Sequence, residues 1–293
     1  MSAQPIRHGR ISERGFVIVA VLWLLAALAS LAIVFSVYLA NSARALSLND
    51  SALQTEALVS ACVELTAYEL RLTGEEAPPA SGSFHTRLNG TELTVSFISE
   101  AARIDLNAAP KELIKGLLVV LGASDDDANQ FADRIIAWRT KATPETSRDQ
   151  DALYRAAGRS YSPRQAPFAH VNELGLVLGL PPALVERALP YVTVFSGASG
   201  VDVLNAEPQV VAALPGVTPL MLKQFMNDRG SLSSAAAVSS ALGQGSSYTT
   251  AKSKAYRLTI QARLPNGRPV SSEVVISLRG DEPYLVLSWR DNV

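Results

Sequence analysis

From Phe16 to Ala40 the chain runs for 25 residues without a charge, FVIVAVLWLLAALASLAIVFSVYLA. At a helical rise this is about 37 Å, enough to cross a hydrocarbon core of about 30 Å with some tilt. No soluble fold has use for so long an apolar helix at its very start, so the segment fixes the setting of the rest. An ordinary signal peptide fits poorly, since its apolar region is shorter and ends in a small-x-small cleavage site. Arg7, Arg10 and Arg14 face a single acid, Glu13, on the preceding flank. That bias keeps the N-terminus cytoplasmic and sends everything after Ala40 outward. In the whole chain 26 Lys and Arg nearly cancel 27 Asp and Glu, which gives no general attraction to a polyanion. The one cysteine, Cys62, excludes an intramolecular disulfide and a cysteine-based zinc site.

The helical pattern outlasts the apolar run. Between Asn41 and Leu72 there is neither Pro nor Gly, and Leu58, Cys62, Leu65, Tyr68 and Leu72, with Ala61, recur at helical spacing. The predicted helix, Phe16–Leu72, is about 85 Å long and stops at Thr73-Gly74. Its second half needs a sheet to cover its apolar stripe. Strand signals come in two pieces. Residues 84–99 alternate around the turn dipeptide Asn89-Gly90, and residues 255–289 carry the rest, with Pro265-Asn266-Gly267 as a second turn. Neither piece closes a sheet alone. The economical fold is α+β, with one antiparallel sheet on the long helix, interrupted by a helical insertion over about 101–248. A Ser/Gly-rich run near Gly243–Ser247 is the return linker.

The insertion echoes itself. One copy opens Ile104-Asp105-Leu106-Asn107-Ala108-Ala109-Pro110 and ends at Arg139. The other opens Val201-Asp202-Val203-Leu204-Asn205-Ala206-Glu207-Pro208 and ends at Arg229. Asn107 and Asn205 are predicted to cap the helices that follow, with Pro110 and Pro208 in their first turns. Residues 168–195 repeat the helix-turn-helix rhythm without that opening. The frame resembles helix-hairpin-helix modules, also met in SAM-like folds, which hold DNA phosphates on the backbone of a Gly turn. Such binding needs a positive rim. Here residues 103–139 carry Arg103, Lys111, Lys115, Arg134 and Arg139 against Asp105, Glu112, Asp125, Asp126, Asp127 and Asp133. Residues 201–229 carry Lys223 and Arg229 against Asp202, Glu207 and Asp228. Nucleic acid is therefore not an expected partner, and the hairpins read as a protein-interaction scaffold. No His-x-x-x-His, G-x-S-x-G or phosphate loop occurs, and His8, His85 and His170 are far apart in sequence.

Arg14-Gly15-Phe16 is similar to a prepilin cleavage junction, where a membrane peptidase cuts after Gly and methylates the new N-terminal Phe. Gly15 admits a protease to the backbone and resists helix. With the Ala102–Pro110 stretch, Ala166-Pro167-Phe168, Asn172-Glu173-Leu174 and Pro190–Val194, the chain resembles the type II secretion minor pseudopilin K family (general secretion pathway protein K) over nearly its whole length. The resemblance implies a non-enzymatic subunit at the tip of a periplasmic pseudopilus, bound to minor pseudopilins of the I and J types. Prepilin peptidase, the inner membrane and the secretion assembly platform are its other partners, and no cofactor is required. It also implies a leader over 1–15, a membrane helix over 16–40, and core elements over 41–100 and 249–293. The insertion then spans 101–248, divided into 103–195 and 200–245.

Two departures from the family pattern bear on sites. Most pilins carry Glu at the fifth mature position, which pairs with the terminal amine of the subunit above; here it is Ala20. An unpaired carboxylate in hydrocarbon is costly, so an apolar residue suits a subunit with nothing above it. Calcium is a family expectation after the first hairpin's Trp, but Trp138 is followed by Arg139-Thr140-Lys141, and acids return only at Asp149-Gln150-Asp151. Asp149 and Asp151 are either a weak hard-cation pair or a solvated acidic loop. A membrane-anchored helix-hairpin-helix receptor for DNA uptake and an exported enzyme on an anchor are the rival classes. The junction makes the first prediction: the mature chain starts at a methylated Phe16, and Gly15→Val accumulates the full-length precursor. Intact-mass measurement checks both, and a chain that keeps Met1 or is cut near Ala40 contradicts them.

Overall fold

The computed structural model describes residues 14–72, 78–232, 234–243, 247–249, 253–264, 267–278 and 283–291, without the side chains of 14–16 and 43–52. Eight α-helices and nine strands follow one another among these residues. Helix α1 is Arg14–Arg71. Strands β1 (Ser81–Leu88) and β2 (Thr91–Ser99) lead into the two-residue strand β3 (Ile104–Asp105). Next come α2 (Lys111–Val120), α3 (Asp125–Arg139), α4 (Pro144–Ala156), α5 (Pro182–Ala188) and strands β4 (Val192–Thr193) and β5 (Val201–Asp202). The helices α6 (Pro208–Ala212), α7 (Pro219–Asp228) and α8 (Ala235–Leu242) precede β6 (Tyr248–Thr249). Strands β7 (Ala255–Arg263), β8 (Pro269–Ser277) and β9 (Leu285–Asp291) finish the chain. Two compact units divide it, Met1–Leu58 and Val59–Val293. The first is the N-terminal part of α1, whose residues Val17–Ser42 form a single apolar stretch of 26 residues, long enough to span a membrane.

In the second unit, five strands form one antiparallel sheet in the order β1-β2-β7-β8-β9. Asn89 and Gly90, at φ 47° and 78°, make the tight turn between β1 and β2, the left-handed pair that the Asn-Gly dipeptide supplies most cheaply. Alternation puts Leu93, Val95 and Phe97 on the face that also carries Tyr256, Leu258, Ile260, Val270, Val274 and Ile276, all buried. Within this unit α1 buries Val59, Cys62, Val63, Thr66, Ala67 and Leu70, an i, i+3, i+4, i+7, i+8, i+11 stripe. Thr66 satisfies its hydroxyl on the Cys62 carbonyl at 2.7 Å. The Tyr284 hydroxyl, just before β9, donates to Glu64 of α1 at 2.8 Å. This corrects the expected stripe: Tyr68 and Leu72 are 62% and 64% exposed. Apolar residues occur on both sides of this helix. The buried side is the one with Val59, Cys62, Val63, Ala67 and Leu70.

Between β2 and β7 lies the helical insertion, with a core of its own from Ile104 to Leu242. Its two copies superimpose on their aspartates without a gap. The Asp105 carbonyl accepts from Ala108 N at 3.2 Å and Ala109 N at 2.8 Å; the Asp202 carbonyl accepts from Asn205 N at 3.2 Å and Ala206 N at 2.9 Å. Ala109 therefore matches Ala206, and the two Leu-Asn-Ala strings stand one residue out of step. Each copy is closed by a parallel bridge: Ile104-Asp105 to Val192-Thr193, and Val201-Asp202 to Tyr248-Thr249. In the 168–195 segment the first expected helix is a 3-10 turn, Val171–Leu176, capped by His170, whose Nδ1 accepts from Asn172 N at 3.1 Å.

Helices α2 and α6, the first of each copy, pack on one another. Aligned on the aspartates, Gly116 and Ala213 are equivalent positions, and they meet at the crossing. A Cβ on Gly116 would lie 2.0 Å from the Ala213 carbonyl oxygen, so only Gly allows this approach. Gly116→Val should therefore destabilise the chain by about 1–3 kcal/mol, as overpacking of a close-packed site does. Thermal melting of the detergent-solubilised protein by circular dichroism checks this, and an unchanged melting temperature would contradict the crossing geometry.

Candidate assembly site

Helix α1 begins at Arg14, so the Gly15-Phe16 junction falls in its first turn, while the Phe16 side chain lies outside the described residues. Ala20 is exposed on the apolar stretch, among Val17, Ile18, Val19, Val21 and Leu22, each more than half exposed. A surface so uniformly apolar is stable only in lipid or against other apolar helices.

The duplicated opening has a different use from helix capping. The N-cap of α2 is Pro110 and that of α6 is Glu207, neither with a side-chain cap bond, and Pro208 holds the first turn of α6 as expected. Asn107 and Asn205 stand too far before the helices to reach their free N–H groups. Asn107 clamps Phe168 instead, accepting from its N at 2.7 Å and donating to its carbonyl at 3.0 Å. The Asn205 amide donates to Asp202 at 2.8 Å and accepts from the Ser81 hydroxyl at 2.8 Å. The aspartates are the common element. Asp105 Oδ1 accepts from Asn107 N at 2.7 Å and Asp202 Oδ1 from Leu204 N at 3.1 Å, the same Asx turn in both copies. Burial pushes the Asp105 carboxyl upward, opposed by the N–H groups of Gly197 and Asn107. The terminal arginines then lock each opening: Arg139 donates to the Ala109 carbonyl and Arg229 to that of Ala206, both at 2.7 Å.

Asp149 and Asp151 lie on α4, not in the loop expected for them. Two residues apart on a helix, they point about 200° from each other, so the backbone does not bring them together. Among the described residues no group of three or more His, Cys, Asp or Glu is placed to hold a metal ion. The expected return linker falls partly on residues 244–246, outside the described residues. At the start of α3, Asp125, Asp126 and Asp127 are exposed, and the Ser124 hydroxyl caps Asp127 N.

A charged cluster where the insertion meets the sheet went unread in the sequence. Glu100 is fully buried directly after β2. Its two oxygens receive the Arg257 guanidinium, Nε at 2.7 Å and Nη2 at 3.2 Å. Arg257 Nη1 reaches Glu273 at 2.5 Å, and Glu273 also receives Arg290. The Thr193 hydroxyl donates to Glu100, and Arg103 donates to the Pro190 carbonyl. Burial opposes the charge on Arg257, but Glu100 and Glu273 overcome it and hold its pKa above the ordinary value. Burial likewise pushes Glu273 up, while Arg290, Arg257 and Arg103 outweigh it and bring Glu273 below the ordinary 4.5. The one sequence signal was the pair Glu100 and Arg103 at the mouth of the insertion. Arg257 alternates normally on its strand and reads as a solvated residue.

Long helix, split antiparallel sheet and inserted helical region define a pilin-like α+β protein. Residues 87–197 match the family described as type II secretion system (T2SS), protein K. Type II secretion system protein K of Dickeya chrysanthemi is 30% identical over 118 residues, 40% of this chain. The match spans 30% of that relative's own length. The crystal structure of the GspK-GspI-GspJ complex from the enterotoxigenic Escherichia coli type 2 secretion system contains a chain with the same fold. It aligns with a TM-score of 0.62 at 17% identity, over 85% of this chain and 99% of that one. Over residues 87–197 the chain is thus similar to protein K of the type II secretion system, and its fold is that of a chain in the GspK-GspI-GspJ complex.

The cluster predicts a sign for acid sensitivity. The lowered pKa of Glu273 adds stability that is present above about 4.5, its unfolded value, and is lost as pH falls through the folded one. Melting temperature should drop below pH ~4.5, with a shallower drop in Glu273→Gln. Arg257→Met, which strands the buried Glu100 and leaves Glu273 to Arg290 alone, should cost about 3–5 kcal/mol near neutral pH. Denaturant titration of the detergent-solubilised chain measures it.

Proposed function

We propose that this chain is a structural subunit at the tip of a type II secretion pseudopilus, where it caps or initiates assembly together with minor pseudopilins of the I and J types. The observation that carries this is the alignment along almost the whole of a chain crystallised in a GspK-GspI-GspJ complex, at a family-matched insertion. The apolar stretch Val17–Ser42 is the single membrane pass. Arg7, Arg10 and Arg14 hold its N-terminus in the cytoplasm, and the bulk of the chain is periplasmic. Prepilin peptidase removes residues 1–15 and methylates Phe16. Ala20 marks a position with no subunit above it, because a carboxylate there would find no amine. Residues 41–100 and 249–293 supply the pilin core and 101–248 the inserted domain. The insertion's two copies are helix-hairpin-helix modules, related to SAM-like folds, used as a protein scaffold.

A role in binding nucleic acid is disfavoured by the three exposed aspartates at the N-terminus of α3, where a phosphate would meet like charge. The role is mechanical and needs neither a catalytic group nor a cofactor. Coexpression of the full chain with I- and J-type pseudopilins should give a complex that stays together on gel filtration at micromolar concentration. Clean separation of the three would count against the reading. Ala20→Glu should leave secretion level or lower, since a carboxylate in hydrocarbon costs about 2.5–3.5 kcal/mol without a partner. Increased pilus assembly by this variant would place the chain within the filament rather than at its end.

A further inference from the structure

The Glu100 cluster lies where the chain passes from the sheet into the insertion. Strand alternation puts Arg257, Glu273 and Val275 on the sheet face opposite Tyr256, Leu258 and Ile260. On that second face the buried groups beside the insertion are small, namely Ala255 and Val275 with Ala101 and Ala102. Contacts between such groups are non-directional and tolerate sliding and rotation. The directional bonds at the junction are of another kind. Arg257 grips Glu100 through two N–H groups in a fork that accepts one geometry, and it reaches Glu273 with a third. Glu100 also receives Thr193, and Arg103 holds the Pro190 carbonyl, so the far end of the first copy is tied to the same point. Arg290 braces Glu273 from β9. Arg257 of β7 and Thr193 of β4 meet on Glu100, a carboxylate with no exposed surface, and Arg257 carries the link on to Glu273 of β8 and Arg290 of β9.

Buried ion pairs of this kind seldom stabilise a protein more than well-packed apolar side chains of the same volume. Their distinctive product is a unique arrangement; the other side-chain bonds from sheet to insertion, Ser81 to Asn205 and Ser253 to the Ser196 carbonyl, are single neutral bonds that swivel more freely than a fork. We propose that Glu100, Arg257 and Glu273 form an orientation latch that holds the helical insertion at a single angle on the pilin sheet. The presentation of the insertion to neighbouring subunits rests on the function proposed above; the latch itself does not.

The test reads the angle directly. Spin labels on Gln261→Cys of β7 and Gln130→Cys of α3, both exposed positions, are placed in a Cys62→Ala background of the full chain in detergent. Electron double resonance should give one narrow distance for this parent. The triple variant Glu100→Leu, Arg257→Met, Glu273→Leu should keep a cooperative melt at an equal or higher temperature, yet lose the single distance, which broadens or splits. Arg257→Lys keeps the charge but not the fork, and should broaden the distribution in a protein that still folds. A narrow distribution at the parent distance in Arg257→Lys or in a folded triple variant overturns the latch. Should the triple variant fail to fold, Arg257→Lys decides alone. Failure of the parent to assemble with I- and J-type pseudopilins, with its own distance still narrow, removes the proposed partners and leaves the latch standing.

Discussion

A carboxylate with no exposed surface forces its surroundings to answer it. Glu100 sits at the point where the chain leaves the sheet for the insertion, and its burial dictates what the nearby elements must supply. The β7 strand supplies the Arg257 fork, β4 a hydroxyl, and β8 a second carboxylate to balance the arginine. Loss of the fork would strand the buried carboxylate in low dielectric. The sheet and the insertion each have a core of their own. The Glu100 set is the charged link between them, beside single bonds such as Ser81 to Asn205 and Ser253 to the Ser196 carbonyl.

Features governed by local pattern were legible in the sequence. The apolar run, the Asn89-Gly90 hairpin, the strands around Pro269 and the helices ending at Arg139 and near Arg229 all follow from period, turn chemistry and stop signals. Features settled by tertiary choice were not. Two apolar stripes run along the end of α1, one with Leu65, Tyr68 and Leu72 and one with Val59, Val63 and Ala67, and periodicity cannot rank them. The sheet covers the second, with Leu70 at its end. Tyr68, and Leu72 just past the helix end, were left at the surface.

The repeat shows a subtler limit. Matching Leu-Asn-Ala to Leu-Asn-Ala is the natural alignment of two strings, and it needs a one-residue gap. Backbone hydrogen bonds align the copies on Asp105 and Asp202 instead, where no gap is needed. The asparagines thereby lose their equivalence and take separate partners, Phe168 in one copy and Ser81 in the other. What repeats is the physical device: an Asx turn, a buried alanine whose carbonyl receives an arginine from the end of the next long helix, and a parallel bridge to a threonine. Of these, the aspartate and the arginine were visible in the shared frame, and the threonines were not, since Thr193 and Thr249 lie at different distances along the chain.

The way the insertion is attached explains how a sheet tolerates it. Strands β1, β2, β7, β8 and β9 are neighbours in chain order, a simple meander in which β2 and β7 would ordinarily be joined by a turn. Ser99 and Tyr256 are still paired across that gap, and Ser253 N donates to the Ser99 hydroxyl at 3.2 Å. The insertion thus leaves and returns at one spot. Lengthening a connection whose ends already meet costs little, because closure entropy grows only with the logarithm of length. It costs less still when the added chain folds by itself around its own core. The pilin sheet can therefore carry a domain far larger than a turn without a change of register. The demand shifts to the junction, where the two covalent crossings by themselves leave the angle free and the bonds around the buried carboxylate constrain it.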